Sequence, residues 1–400
     1  MEHEHHLPED TVAEILLLLP AKAVARCAAV CKAWRRITAD PHFLAARARR
    51  RPHPASILLL TYVDASFGAE DIAVDALPIS SDDDARHRLI RYPTAAPPLA
   101  TTRQRCLLLL ASCDGVLLFK ADAGVYFLFH PVTRQWAQLP RLPADGYYTT
   151  YKYDYPELAL YFHEPSGEFR LLCFSLQRRV CYIVSTGAAE PRDLLEPEDV
   201  TTTGRHITAR LFVTPPVPLH GSLHWPPAST TGETALTAFD TVSETFGQMP
   251  GPPSRRPWTV KLFEMGGLLA AADFGGNKHV DLCFLEDYSA AGRWARRHRV
   301  ASPWQHGRGW PHDIDVCSMA VAGDDDGNVI LGNNERLLAY DTRSNTVRNV
   351  HSVMRRRRSV CVTKLVFKGS PVVRGQHQHA CFATLPASSS ADFPSIHSRS

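Results

Sequence analysis

Leu7-Pro8-Glu9-Asp10-Thr11-Val12-Ala13-Glu14-Ile15-Leu16-Leu17-Leu18-Leu19-Pro20 is the stretch whose reading decides how the chain divides. Leu-Pro opens it and Leu-Pro closes it. The segment between is helix-length, with acids in its first turn, where the helix dipole favours them. Val12, Ile15, Leu16 and Leu19 recur at i, i+3, i+4 and i+7, which predicts one apolar helix face. Leu17 and Leu18 fall off that face, so the last turn and a half is apolar nearly all round. A helix of that kind is buried, and too little chain lies nearby to bury it.

The next segment extends the problem. The spacing predicts a second helix over 21–32, with Val24, Ala28 and Cys31 on one side. Trp34 and Ile37 add apolar bulk, Asp40-Pro41 breaks the helix, and Phe43 follows. A three-helix unit of about forty residues rarely makes an adequate core unaided. Periodicity leaves two readings open. The module finishes its core against a partner, or it caps the rest of its own chain.

At these residues the chain resembles the F-box family. Leu7-Pro8, Ile15-Leu16, Leu19-Pro20, Val30-Cys31-Lys32-Ala33-Trp34-Arg35, and Asp40-Pro41 with Phe43 fall in the order of that family's pattern, over residues 7–46. The resemblance implies docking onto a Skp-type adaptor and, through it, onto the cullin and RING protein of a ubiquitin ligase. Carried over residue by residue, it names Leu7, Pro8, Ile15, Leu16, Leu19, Pro20, Val24, Val30, Cys31 and Trp34 as adaptor-binding, some of which must instead hold the helices together. One departure is Ala23-Val24-Ala25, where the family commonly has a larger residue.

Outward from this module, the composition changes the expectation. Four hundred residues suit a small module plus one large domain. Lys and Arg number 44 against 41 Asp and Glu, so nucleic acid is not an expected partner of the chain as a whole. Thirty prolines and 23 glycines suit short strands better than long helices. Ten cysteines occur with no Cys-x-x-Cys. Residues 1–6 form no secretory signal, and no apolar run approaches a membrane helix. The expectation is a soluble protein with reduced thiols, cytoplasmic, nuclear or both, with no membrane contact. Residues 1–6 are read as a flexible tail whose His3, His5 and His6 are not a metal site. Cys27 and Cys31 are read as buried small apolar residues. Residues 47–56, with Arg47, Arg49, Arg50, Arg51, Pro52 and Pro54, are a basic linker that ends helical structure.

From Ile57 the pattern turns to strands of about four residues. These are Ile57–Leu60, Leu107–Leu110, Val116–Phe119, Tyr126–Phe129, Leu171–Phe174, Cys181–Val184 and Val329–Leu331. Asp114-Gly115, Ser166-Gly167, Gly266-Gly267 and Asp326-Gly327 punctuate them, the last read as a type I′ hairpin turn. Phe129, Phe239 and Tyr340 mark a weak repeat of strand, aromatic, polar turn and strand at roughly every hundred residues, or two units of about 50, the kelch-type period. Cys181–Val184 and Leu282–Asp287 fill the midpoints, and 57–110 supplies another unit. The fold class expected is therefore multidomain: a small all-α three-helix module, then an all-β propeller of about six blades over 57–383. Residues 384–400 are serine-rich and read as a disordered tail. His130-Pro131-Val132-Thr133 with Leu139-Pro140, and Leu219 through Trp225 followed by Phe239-Asp240, resemble the F-box-associated propeller of plant F-box proteins. The double-Gly kelch signature is not repeated in each blade.

A search for catalytic chemistry finds none. Gly221-Ser222-Leu223-His224 lacks the second Gly of a nucleophile elbow. There is no P-loop and no Gly-x-Gly-x-x-Gly. His163-Glu164 runs directly into Pro165 rather than a zinc helix. Asp324-Asp325-Asp326 lacks the spacing of a calcium loop. His220 and His224 read as core or channel positions, Asp82–Asp84 as a solvated loop, and Arg355–Arg358 as an exposed loop. No cofactor is expected. The resemblance implies a non-catalytic substrate-recognition subunit of a Skp–cullin–F-box ligase, with a protein substrate, as yet unidentified, on the propeller. Two alternatives stand: an adaptor-binding protein acting outside ubiquitination, and a propeller enzyme with a helical appendage.

Overall fold

The computed structural model describes residues 7–19, 21–40, 43, 46, 55–63, 71–80, 86–93, 108–121, 125–131, 135–140, 157–175, 180–194, 214–227, 234–276, 278–288, 292–303, 319–334, 336–350, 358–368 and 383–384. Pro20, Leu107, the histidines of the tail, the arginines of the linker, Asp82–Asp84, Arg355–Arg357 and the tail after 384 lie outside them.

Three helices come first: α1 (Glu9–Leu18), α2 (Ala21–Cys27) and α3 (Lys32–Ala39). The second is shorter than the spacing predicts. Ala28–Val30 leave it as a turn, and Cys31, in extended backbone, caps α3 by accepting the Trp34 N–H on its sulfur at 3.4 Å. Cys31 is therefore an exposed cap, not a buried apolar residue. The third helix ends at Asp40, which is extended as a residue before proline must be. Its carboxylate accepts the Phe43 N–H at 3.1 Å.

The strands follow in six groups. Blade 1 has β1 (Ser56–Val63), β2 (Asp71–Pro78) and β3 (His87–Pro93). Blade 2 has β4 (Leu108–Cys113), β5 (Val116–Ala121), β6 (Val125–His130) and β7 (Gln135–Gln138). Blade 3 has β8 (Glu157–His163), β9 (Glu168–Ser175), β10 (Val180–Ser185) and β11 (Arg192–Asp193). Blade 4 has β12 (Val217–Leu219), β13 (Ser222–Trp225), β14 (Leu236–Asp240) and β15 (Thr245–Met249). Blade 5 has β16 (Val260–Met265), β17 (Leu268–Asp273), β18 (His279–Asp287) and β19 (Arg293–Ala301). Blade 6 has β20 (Ala320–Gly323), β21 (Asn328–Gly332), β22 (Leu337–Asp341) and β23 (Thr346–Val350). Two late strands return to earlier sheets. β24 (Arg358–Phe367) pairs with β1 and becomes the inner strand of blade 1, and β25 (Ala383–Thr384) adds to the outer edge of blade 2. Every pairing is antiparallel, and all but these two join chain neighbours, so β24 closes the ring.

Alternation of side chains explains why the strands read as continuous apolar runs. Leu58 and Leu60 of β1 pack with Phe127 and Phe129 of blade 2, while Ile57 and Leu59 pack with Ile330 and Ala339 of blade 6. Successive residues point to opposite faces, and both faces are covered by a neighbouring blade. The same holds around the ring, where each of six apolar clusters lies between two adjacent blades. The repeat aromatics fall at equivalent places. Phe129, Phe239 and Tyr340 sit on the third strands of blades 2, 4 and 6, each packed toward the preceding blade. The midpoints Cys181–Val184 and Leu282–Asp287 are third strands of blades 3 and 5.

The turns after Phe239 and Tyr340 are copies. Asp240 accepts from the N–H groups of Val242 and Ser243, and Asp341 from those of Arg343 and Ser344. Thr241 and Thr342 each donate a hydroxyl back to the glycine of the neighbouring hairpin, Gly221 or Gly327. Glu244 and Asn345 then take the left-handed conformation. The Asp326-Gly327 turn is not type I′, since that form needs positive φ at both central residues and only Gly327 has it. Asp324 organises this loop instead, accepting from the backbone of Asp326 and Asn328.

Candidate functional site

The helical module has two apolar sides. Val12, Leu16 and Leu17 of α1 are buried with Val24, Ile37 and Phe43, and Leu19, Cys27 and Trp34 pack partly against them. The buried stripe is thus rotated from the predicted one. Leu17 replaces Ile15, because α1 packs on α3 through its Val12–Leu16–Leu17 side. Ile15 and Leu18, three residues apart and hence on one face, point outward.

Of the ten residues named from sequence, Leu16 and Val24 belong to the module's own core. Leu19 and Trp34 are half-buried, and Leu7, Pro8, Ile15, Val30 and Cys31 are exposed. Pro20 lies outside the described residues. Sequence reasoning did not name Leu18; its position three residues after Ile15 was the available signal. Among the described residues, eight large hydrophobic side chains are exposed. Leu7 (57%), Ile15 (45%), Leu18 (64%) and Val30 (65%), four of them, lie in the helical module. Scattered single exposures are ordinary on a soluble surface, whereas half of those described here fall in one short segment. The charged link Arg36–Glu9 ties α3 to α1 at the solvent side, leaving the apolar residues uncovered.

The propeller carries a second concave surface. The inner strands of all six blades line a cavity of about 600 Å³. Its wall is largely apolar, with Leu108, Leu110, Leu160, Phe263, Val321 and Leu365, and the Glu264–Lys368 ion pair also lines it. His224 is fully buried beside it. The Val217 carbonyl lies 3.1 Å from Nδ1, which therefore donates, and Nε2 accepts from the Tyr288 hydroxyl. Burial holds this imidazole below its ordinary pKa, so it is neutral at physiological pH. With both ring nitrogens engaged, His224 does not pair with His220, which sits in the adjacent turn at φ +50°. No group of three or more His, Cys, Asp or Glu is placed to hold a metal ion among the described residues. No described helix is long and apolar enough to cross a membrane.

Comparisons with known proteins fit this geometry. A family model for F-box-like domains matches residues 5–51. An Arabidopsis thaliana F-box protein is 21% identical over 368 residues, covering 84% of this chain and 83% of its own length. A second protein of that plant, provisionally named an F-box protein, is 23% identical over 301 residues, covering 73% of this chain and 71% of its own. Among solved structures, the nidogen/laminin complex aligns with a TM-score of 0.41 at 9% identity, covering 78% of this chain and 97% of that one. An F-box-like domain at the N-terminus, F-box proteins among the relatives and a closed six-bladed ring together fit an F-box protein with a β-propeller domain.

Proposed function

We propose that the chain is a substrate receptor of a Skp–cullin–F-box ubiquitin ligase, working in the cytoplasm, the nucleus or both. The helices hold the Skp-type adaptor, and through it the cullin and RING protein, while the propeller holds the protein to be modified. The receptor performs no chemistry itself. It raises the local concentration of substrate beside a ubiquitin-conjugating enzyme.

One observation carries this reading: Leu7, Ile15, Leu18 and Val30 are exposed on a module whose own core is already filled by Val12, Leu16, Leu17, Val24, Ile37 and Phe43. The two sets do not overlap, so the exposed set is left for a partner. Leu7, Pro8, Ile15, Val30 and Cys31 of the sequence-named residues, with Leu18 added, make the adaptor contact. Leu16 and Val24 support it from within.

The test is co-purification of a Skp adaptor with the full chain, wild type against Leu7→Asp/Ile15→Asp. Binding by the wild type and its loss in the folded variant is the expected result. A folded wild type that captures no adaptor overturns the reading. A cell-free ubiquitination reaction with the assembled complex then separates a ligase receptor from an adaptor-binding protein of another kind.

A further inference from the structure

Blade 5 departs from the near-balanced charge of the chain. Its Val260 end lies where the outer strand of blade 4 passes inward, and there Arg255, Arg256 and Trp258 precede β16. The loop from β17 to β18 reaches the same place. A side chain added at Gly275 would touch Arg256, and the Phe274 N–H bonds to the Thr259 carbonyl at 3.2 Å. That loop brings Lys278 and His279, and β18 continues to Asp281. Arg299 grips Asp281 through two hydrogen bonds of 2.7 and 3.0 Å, and Arg296 shares the same carboxylate. Five cations thus gather on one end of one blade.

The acids nearby do not neutralise them. Asp273 is occupied inward, accepting the Thr259 hydroxyl at 2.5 Å and the Gly275 N–H at 2.8 Å. Asp281 serves two arginines at once. Arg255, Arg256 and Lys278 have exposed side chains that form no ion pair among the described residues. The chain-wide ratio of 44 to 41 makes this a local feature.

The surface is also pre-formed. Pro257 is buried and starts a single 3-10 turn, Thr259 bonds back to the Arg256 carbonyl at 2.7 Å, and Asp273 fastens that turn to the blade. Trp258 is held on this turn with 37% of its surface exposed. A rigid tryptophan flanked by arginines is the composition that concentrates binding energy at protein interfaces. Fixed cations steer an oppositely charged partner and set its register.

We propose that this end of blade 5 binds an acidic segment of the protein to be ubiquitinated, with an apolar residue of that segment packed on Trp258. The proposal rests on the receptor reading and assigns its substrate class. Nucleic acid is disfavoured by the near-neutral chain and by the small number of cations, against the many phosphate contacts that polyanion binding uses.

The experiment uses the full chain and fluorescence anisotropy. The probes are a labelled glutamate-rich peptide with one central phenylalanine, its lysine-for-glutamate counterpart, and oligothymidylate. The acidic peptide should bind at least about tenfold more tightly than the basic one, and Arg255→Glu/Arg256→Glu/Lys278→Glu should remove that difference. Trp258→Ala should weaken the acidic peptide by about fivefold or more. If the charge reversal perturbs folding, the Arg255→Gln/Arg256→Gln/Lys278→Gln set carries the same expectation in smaller size. Equal binding of the two peptides, or affinity unchanged in the folded variants, overturns the proposal. So does oligothymidylate binding more tightly than the acidic peptide through the same residues. Adaptor capture measured on each preparation separates the two readings. Peptide binding without adaptor capture defeats only the receptor, and adaptor capture without selective peptide binding defeats only this surface.

Discussion

The Tyr161 hydroxyl, on the inner strand of blade 3, donates to the carboxylate of Glu244, in the hairpin turn of blade 4, at 2.5 Å. Arg170 donates to the same carboxylate at 2.6 Å, and Arg192 completes the cluster. Three groups of one blade therefore converge on one acid of the next. Burial works to raise the Glu244 carboxyl, and the hydrogen bonds from Tyr161, Arg170 and Arg192 outweigh it, so it stays below the usual range. Burial first, then the bond to Glu244, push the Tyr161 phenol far above its ordinary value.

Glu244→Gln should keep a hydrogen bond to Tyr161 but leave Arg170 with no counter-charge on blade 4. Arg170 keeps Glu168 at 3.5 Å and the pair is only part-buried, so the loss should cost about 1–3 kcal/mol. The depressed carboxyl contributes stability that is fully present above the unfolded value of about pH 4.3 and is lost as pH falls through the folded value. Denaturant midpoints of the wild type should thus fall on acidification through that window. Those of Glu244→Gln should start lower and fall less. A variant as stable as the wild type at neutral pH would show that the cluster does not join the blades.

On α1, neighbouring residues should behave oppositely. Leu16 is fully buried in the helical core, so Leu16→Ala should destabilise the module by about 2–5 kcal/mol. Ile15→Asp/Leu18→Asp touches none of that core and should leave helix content and melting unchanged while abolishing adaptor capture. Circular dichroism paired with the pull-down reads both effects. Lost helix content in the Ile15/Leu18 variant would mean that these residues pack within the chain.

These contrasts mark what local sequence carries. The aromatics Phe129, Phe239 and Tyr340 were legible as a repeat because each occupies the third strand of its blade, and the turns after Phe239 and Tyr340 share one aspartate-led chemistry. Both faces of β1 could be expected to bury from its unbroken apolar run. The division of α1 was not legible, since Ile15, Leu16, Leu17 and Leu18 are all apolar and only packing against α3 tells them apart. Neither was the cluster on Glu244, whose partners are 83, 74 and 52 residues away. The return of β24 to β1 leaves no local signal either, as pairing at that separation depends on the ring being complete. The blade 5 surface needs three separate segments to meet, although Arg255-Arg256-Pro257-Trp258 is contiguous.

Two glycines should respond differently to the same methyl group. A Cβ at Gly323, on the inner strand of blade 6, would lie 2.9 Å from the Glu264 carbonyl oxygen and 3.0 Å from the Phe263 ring of blade 5. Gly323→Ala must push two inner strands apart and should cost about 1–3 kcal/mol. Gly247, in β15, has nothing within 4 Å of such a Cβ, so Gly247→Ala should be neutral or stabilise by up to about 1 kcal/mol. Urea midpoints of the two variants test this directly. Equal effects would mean that the inner strands tolerate wider spacing than their packing implies.

Closure of the ring should be the most demanding contact of all. β24 gives Val362 to the cluster between blades 6 and 1, and Leu365 and Phe367 to the one between blades 1 and 2. The Thr363 hydroxyl donates to the Leu58 carbonyl at 2.7 Å, and the Val362 N–H to the Asn334 side chain at 2.6 Å. A chain stopped after Val350 loses all of these together and exposes the apolar strand β1 as an open edge, which invites association. It should aggregate or bind a hydrophobic dye at temperatures where the full chain stays monomeric. Because blade 1 lacks only β24, a peptide spanning 355–368 added during refolding should restore part of the soluble monomer. A truncated chain that is monomeric and melts like the full one without the peptide would show that blade 1 closes on its other three strands, and that β24 is an accessory to the ring.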